Sequence, residues 1–243
     1  KDRIAYFVVG ANEWKYVDSL ESIATEHKKL YLSSAGGQAS DAFQSGSLTL
    51  EPPGASADPD SYVYDPLDTR PGELELSADP DSLTDQRFAL HLYGSGLVYH
   101  SEPFEDDTEV SGYLKLEAWI AIDVPDTDFQ VDVYEILTDG SSVRLTQDLM
   151  RARFRESLRE PKLIAPGDIN RYVFDGFYFF SRIIAEGSRL RLVFKSPNSL
   201  LLQKNYNSGG VVSEESGADA QTAHVTLYHD AEHPSYLELP IVR

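Results

Sequence analysis

The stretch from Val110 to Arg155 constrains this chain most. Leu114, Leu116, Ala118, Ile120 and Ile122 put an apolar residue at every second position, with Lys115, Glu117 and Trp119 between them. A period of two is what a strand with one face on a core requires. Pro125, which lacks an amide hydrogen and has a fixed φ, ends that strand. Phe129, Val131 and Val133 begin a second alternating strand, and Asp139-Gly140 supplies turn chemistry before a third at Val143 to Leu145. The pattern predicts a three-strand meander against which the rest of the chain packs. Arg151, Arg153 and Arg155 alternate with Ala152 and Phe154, so they share one face if that piece is extended. Asp126 and Asp128 belong to the tight turn after Pro125, where their carboxylates can pair with those arginines.

Short strand signals fill much of what remains. Ile4 to Val9 reads as a buried strand, and the segment ANEWKYVDSL after Gly10 as a turn and an edge strand. His27 to Leu32, Gly46 to Leu50, Thr222 to Tyr228 and Tyr236 to Leu239 read as further strands. Phe88–Leu92 and Leu97–His100 flank Gly94-Ser95-Gly96 as a hairpin would. Arg171 to Phe180 reads as one aromatic-rich strand. Ser188 to Lys195 alternates Leu190, Leu192 and Phe194 with Arg189 and Arg191. Residues 51–87 are a loop-rich excursion crowded with Pro, Gly, Asp and Ser. They carry two short strands and a small duplication, ADPDS at Ala57–Ser61 and again at Ala78–Ser82. No helical stripe runs beyond a few turns. The expectation is an all-β sandwich of two antiparallel sheets, one domain over residues 1–243.

Composition narrows the chemistry. The 243 residues can bury a sizeable core. There is no cysteine, hence no disulfide, thiol nucleophile or cysteine-ligated metal in the chain. A formal net charge of −19 opposes nucleic acid and anionic membrane surfaces as partners. No apolar run reaches the ~20 residues of a spanning helix. The compartment stays open between bacterial cytoplasm and secretion. Lys1 is not a start methionine, which fits a processed or excised piece.

No G-x-S-x-G occurs, and Gly94-Ser95-Gly96 lacks that motif's frame. Of His224, His229 and His233, the last two are spaced for a zinc site only on a helix, whereas His224 lies in a strand pattern and Pro234 follows His233. Asp58-Pro59-Asp60, Asp79-Pro80-Asp81, Glu105-Asp106-Asp107 and Asp126-Thr127-Asp128 contain fragments of calcium loops but no complete one. The default for all of them is turn and loop polarity, with no metal or cofactor expected. Trp14, Tyr62, Tyr64, Phe177 to Phe180 and Tyr206 are candidates for a sugar-binding face, against core or sheet-face packing as the blander account.

Several segments, taken in order, resemble one family. They are FVVGANEWKYVDSL, YVYDPLDT (62–69), TDQR (84–87), PDTDF (125–129), RARFR (151–155), SLREPKLIAPGD (157–168), GSRLRL (187–192), KNYNSGG (204–210) and AEHPSYLELPIV (231–242). Together they resemble the C-terminal domain of the cocaine esterase/X-prolyl dipeptidyl-peptidase (CocE/NonD) serine hydrolases. The family often has a histidine where this chain has Ser188. The resemblance implies a jelly-roll β-sandwich of the galactose-binding-like type. It also implies partners in the same protein: an α/β-hydrolase domain carrying the catalytic triad, a helical cap, and a homo-oligomer as a further option. All triad residues would precede Lys1, so no catalytic residue is assigned here. The loop between the YDP and DQR motifs would lend apolar side chains to the acyl pocket of the neighbouring domain. In this chain that loop offers Leu74 and Leu76.

Overall fold

The computed structural model describes residues 3–77 and 83–243. In chain order its strands are β1 (Ile4–Val8), β2 (Glu13–Val17), β3 (Glu26–Ser33), β4 (Gly46–Thr49) and β5 (Asp60–Tyr64). Helices α1 (Arg70–Ser77) and α2 (Arg87–Leu90) follow. Then come β6 (Gly96–Ser101), β7 (Thr108–Gly112), β8 (Lys115–Ile122), β9 (Asp128–Ile136), β10 (Ser142–Arg151), β11 (Asn170–Phe174), β12 (Phe180–Ile184), β13 (Arg189–Lys195), β14 (Ala223–Tyr228) and β15 (Tyr236–Val242).

One hydrogen-bonded path runs β10-β9-β13-β6-β4-β3-β15-β8-β14-β5, with β11 beside β8 and β7–β12 beside β15. Pairing is antiparallel except between β4 and β6. The path doubles back on itself, because strands far apart along it touch through their rings. Phe129 of β9 meets Tyr172 of β11 at 5.3 Å, and Phe194 of β13 meets Phe174 of β11 at 6.0 Å and Tyr62 of β5 at 6.3 Å. The inward residues of both halves form one core, including Val131, Val133, Leu192, Leu116, Ile120, Val225 and Leu239. This is the expected all-β sandwich. The β1–β2 hairpin is a separate small sheet, seated on β12 through backbone bonds between Val9 and Ser181 and between Ile183 and Val9.

The meander does not form as predicted. β9 and β10 pair along their length, with a bulge between Arg144 and Thr146, but β8 pairs with β11, β14 and β15 and never with β9. Both edges of β8 are taken, so the chain crosses at Pro125 from one layer to the other. Alternation reports which face is buried and not which strand lies alongside. The hairpin around Gly94-Ser95-Gly96 is also corrected: Arg87–Leu90 is helical, and Ser95 turns back to bond the Leu92 carbonyl. Arg171–Phe180 is two strands, β11 and the start of β12, broken around Gly176. The 51–87 excursion carries one strand, β5, and helix α1. The second ADPDS copy, with Asp79 and Asp81, lies outside the described residues.

The Pro125 crossing is held by a polar clamp. Arg151 ends β10 and the chain turns into a 3-10 helix at Ala152–Phe154, so the three arginines do not share a strand face. Arg151 grips Asp128 with two bonds, Nε at 2.8 Å and Nη2 at 3.0 Å. Asp126 is fully buried and accepts from the Arg153 amide (2.9 Å) and the Arg153 Nε (2.7 Å). The Asn205 amide donates to both Asp126 and Asp128, and Arg153 Nη1 reaches the Gly210 carbonyl at 2.8 Å. Arg155 turns away to the Lys162 carbonyl. Removing one partner leaves a buried charge without compensation. Arg153→Met is expected to lower unfolding free energy by about 3–5 kcal/mol in urea titrations, and Asp126→Leu added to it to restore part of that loss.

Candidate functional site at the helical insertion

Helix α1 forms because its first turn satisfies its own amides. The Asp68 carboxylate accepts from the Arg70 amide at 3.0 Å, and Pro71, with no amide to satisfy, sits in that first turn. Thr69 Oγ1 donates to Glu73 at 3.0 Å. The Arg70 guanidinium holds the Asp68 carboxyl below the usual carboxylate range and lies 4.7 Å from the centroid of the Tyr93 ring. Asp85 and Arg87 repeat this arrangement at the start of α2.

The loop after β13 locks the insertion in place. Asn198 donates to the Asp68 and Asp65 carbonyls, and Lys204 Nζ to the Pro66 carbonyl at 2.7 Å. Glu75 accepts from the Leu200 amide (2.7 Å) and Ser199 Oγ (3.0 Å). Gly72 is buried against Leu200, where an added Cβ would come within 3.2 Å of the leucine Cγ.

The two candidate leucines part company on this frame. Leu74 faces inward and lines a pit of about 50 Å³ with Pro71, Phe88, His91 and Leu92. Leu76 is 78% exposed. The insertion and its locking loop expose Leu83, Leu90, Leu200 and Leu201 as well. Sequence reasoning missed this set because the 200–202 leucines follow a strand by only a few residues. Three consecutive leucines in a loop were the available signal.

The other candidates are dispersed. His224 pairs with Asp123 (2.7 Å), His229 with Asp60 (3.0 Å), and the His233 ring packs against Trp119 and Tyr228. Among the described residues no group of three His, Asp or Glu is placed to hold a metal. Tyr62 and Tyr64 are core, while Trp14 lies on β2, so these aromatics do not make one sugar-binding face.

Two serines lie beside imidazoles, and neither geometry activates a nucleophile. Ser34 Oγ is 3.3 Å from His229 Nε2, but that same nitrogen bonds Asp60 Oδ2, and Ser34 already donates to Asp60 Oδ1 at 2.8 Å. Tyr99 OH donates to Asp60 as well, at 2.7 Å. A general base needs the acid on its far nitrogen, and His229 Nδ1 is buried with no partner. His100 Nε2 accepts from Arg191 Nε at 2.8 Å, which puts the ring proton on Nδ1, facing Ser45 Oγ at 2.8 Å. A ring donating to the serine cannot take its proton. The isolated chain is therefore expected to leave p-nitrophenyl esters unhydrolysed. Turnover abolished by a serine-directed inhibitor would contradict this.

His100 also sets a pH dependence. Burial, with Arg191 beside it, lowers its pKa to about 4. Because the folded state disfavours the imidazolium, this contribution to stability is complete above about pH 6.5 and is lost as pH falls from there through about 4. Urea midpoints measured across that window should fall more for the wild type than for His100→Gln.

Comparison with known proteins agrees with this geometry. Residues 2–238 match the family model of the X-Pro dipeptidyl-peptidase C-terminal non-catalytic domain. The cocaine esterase of Rhodococcus sp. (strain MB1 Bresler) is 29% identical over 244 residues, which cover 99% of this chain and 42% of the esterase. An aminopeptidase from a marine sediment Thaumarchaeota archaeon superposes with a TM-score of 0.83 at 21% identity, over 100% of this chain and 40% of its own. An α-amino acid ester hydrolase does so with a TM-score of 0.74 at 20% identity, over 98% and 41%. The chain thus spans less than half the length of these relatives.

Proposed function

Because the chain belongs to the family of X-Pro dipeptidyl-peptidase C-terminal non-catalytic domains, we propose that it serves as the accessory β-sandwich of a larger CocE/NonD-type serine hydrolase. The acyl transfer to water, whether from an ester, an amide or an X-Pro dipeptide, belongs to a preceding α/β-hydrolase domain with its helical cap. The role of this chain is to wall the acyl pocket of that neighbour and to stabilise it by docking.

One observation carries this reading. Leu76 stands 78% exposed on a helix that hydrogen bonds fix from both sides. A rigid apolar side chain in water gains nothing in the isolated domain, whereas pockets form where domains meet. A second apolar face supports the docking role: Phe7 and Trp14, their rings 5.5 Å apart, and Tyr16 are exposed on β1 and β2.

In the full-length hydrolase, Leu76→Asp is expected to lower kcat/KM for esters of bulky aromatic acids roughly 10- to 100-fold, the worth of one buried leucine contact. Acetyl esters of the same alcohol should change little. An equal loss on both substrates, or none on either, would refute pocket walling.

A further inference from the structure

Strand β4 is shorter than the line it occupies. Its register with β3 covers only Tyr31↔Thr49, Leu32↔Leu48 and Ser33↔Ser47, and its register with β6 stops at Leu48↔Ser101. β3 continues past that point, from Leu30 back to Glu26, paired on its other side with β15 at Leu30↔Leu237, Lys28↔Leu239 and Glu26↔Ile241. Along those residues no strand of the described chain pairs with the edge that faced β4. A cleft of about 680 Å³ opens there. It is bounded by β3 and β15 on one side and by the Glu102–Asp107 connection on the other, with Leu30, Leu48, Leu239 and Ile241 at its floor.

The wall opposite β3 is acidic and held open. Backbone bonds between Phe104 and Ser188 and between Gly187 and Phe104 pin the connection from outside, as does the Glu186 amide on Asp107. Glu102, Glu105 and Asp106 are exposed on the cleft rim, with no side-chain partner among the described residues. Of the other charges lining the cleft, Glu109 is spent on Lys15 and Arg243 on Glu26, which leaves Lys28 as the local cation. The excess is negative.

We infer that this cleft receives an extended peptide of alternating apolar and basic residues, added as a strand along the open edge of β3. Three independent features meet in that occupant. The edge offers main-chain donors and acceptors. The floor takes every second side chain. The rim carboxylates attract the basic residues between, at positions where a neutral strand would leave them unused. A small organic ammonium fits the volume and the charge but leaves the strand edge unexplained.

The test is titration of acetyl-Lys-Leu-Lys-Val-Lys-Leu-Lys-amide into the complete chain, followed by calorimetry or fluorescence. Two further copies of the peptide carry N-methyl groups on alternate amides, in opposite phase, because only one edge of the bound strand faces β3. The expected result is saturable binding of the parent peptide and of one methylated phase, with the other phase bound at least tenfold more weakly. Glu105→Lys with Asp106→Lys, both on the exposed rim, should weaken the parent peptide roughly tenfold, the size expected for two reversed surface charges. Equal binding of both phases, or of a peptide with serine in place of leucine and valine, would mean charge adsorption and would overturn the inference. So would saturable binding of phenethylammonium that competes with the peptide while the two phases remain equal.

Discussion

A carboxylate sealed from water has to be compensated on the spot, and Asp126 is the point at which this sandwich meets that demand. Its partners come from two places: the amide and side chain of Arg153 just beyond β10, and Asn205 in the loop between β13 and β14. The same loop runs back from Asn205 through Lys204 and Leu200 to Asn198, which hold the Pro66 carbonyl, Glu75 and the carbonyls leading into α1. The clamp and the insertion are therefore the two ends of one tether. The desolvation of Asp126 gives little net stability, because burying charge costs nearly what the pairing returns. What it gives is position: the crossing at Pro125, the end of β10 and the locking loop have one mutual arrangement in which no buried charge is stranded.

How much of this was legible follows from which features are local. The alternation at Leu114–Ile122 and at Phe129–Val133 marks residues that face the core, and those residues are buried, Leu114 just before β8 and the rest within β8 and β9. Their partners were not legible. β8 is flanked by β11, β14 and β15, contributed from as far away as Tyr236, and strand choice is decided by the shape of the whole sheet. The excursion failed for a different reason. Leu74 and Leu76 differ by two, which suits a strand, yet Glu73 and Glu75 are good helix formers and Pro71 with Asp68 starts a helix well. The capping chemistry was present in the sequence and outweighed a two-residue alternation. The sequence resemblance implied an apolar contribution from this segment, whereas the exposure of Leu200 and Leu201 became visible only with the fold.

That this domain carries serines next to imidazoles without chemistry shows what a triad requires beyond proximity. In the Ser34–His229–Asp60 group both the hydroxyl and the ring nitrogen are aimed at the carboxylate, so the proton has no downhill path through the ring. In the Ser45–His100 pair the guanidinium of Arg191 takes the only lone pair the ring has free. Both groups act as buried polar networks that tie their strands together. The Asp60 group joins β5, β6 and the turn after β14, and His100 joins β6 to β13.

The apolar surface that remains is unevenly distributed over the described residues. Leu74 and Leu76, two residues apart, lie on opposite sides of α1, so burying one of them exposes the other. The bonds from Glu75 to the Leu200 amide and Ser199 select the orientation with Leu74 inward and Leu76 outward. Holding it costs no conformational entropy at the moment of contact, because the ordering has been done by the fold. The same reasoning applies at the mouth beside β3, where the connection from β6 to β7 is pinned away from the strand edge by bonds to the 186–188 turn rather than left to close over it. In both places hydrogen bonds fix a segment in one position and leave the neighbouring apolar surface uncovered within the described chain.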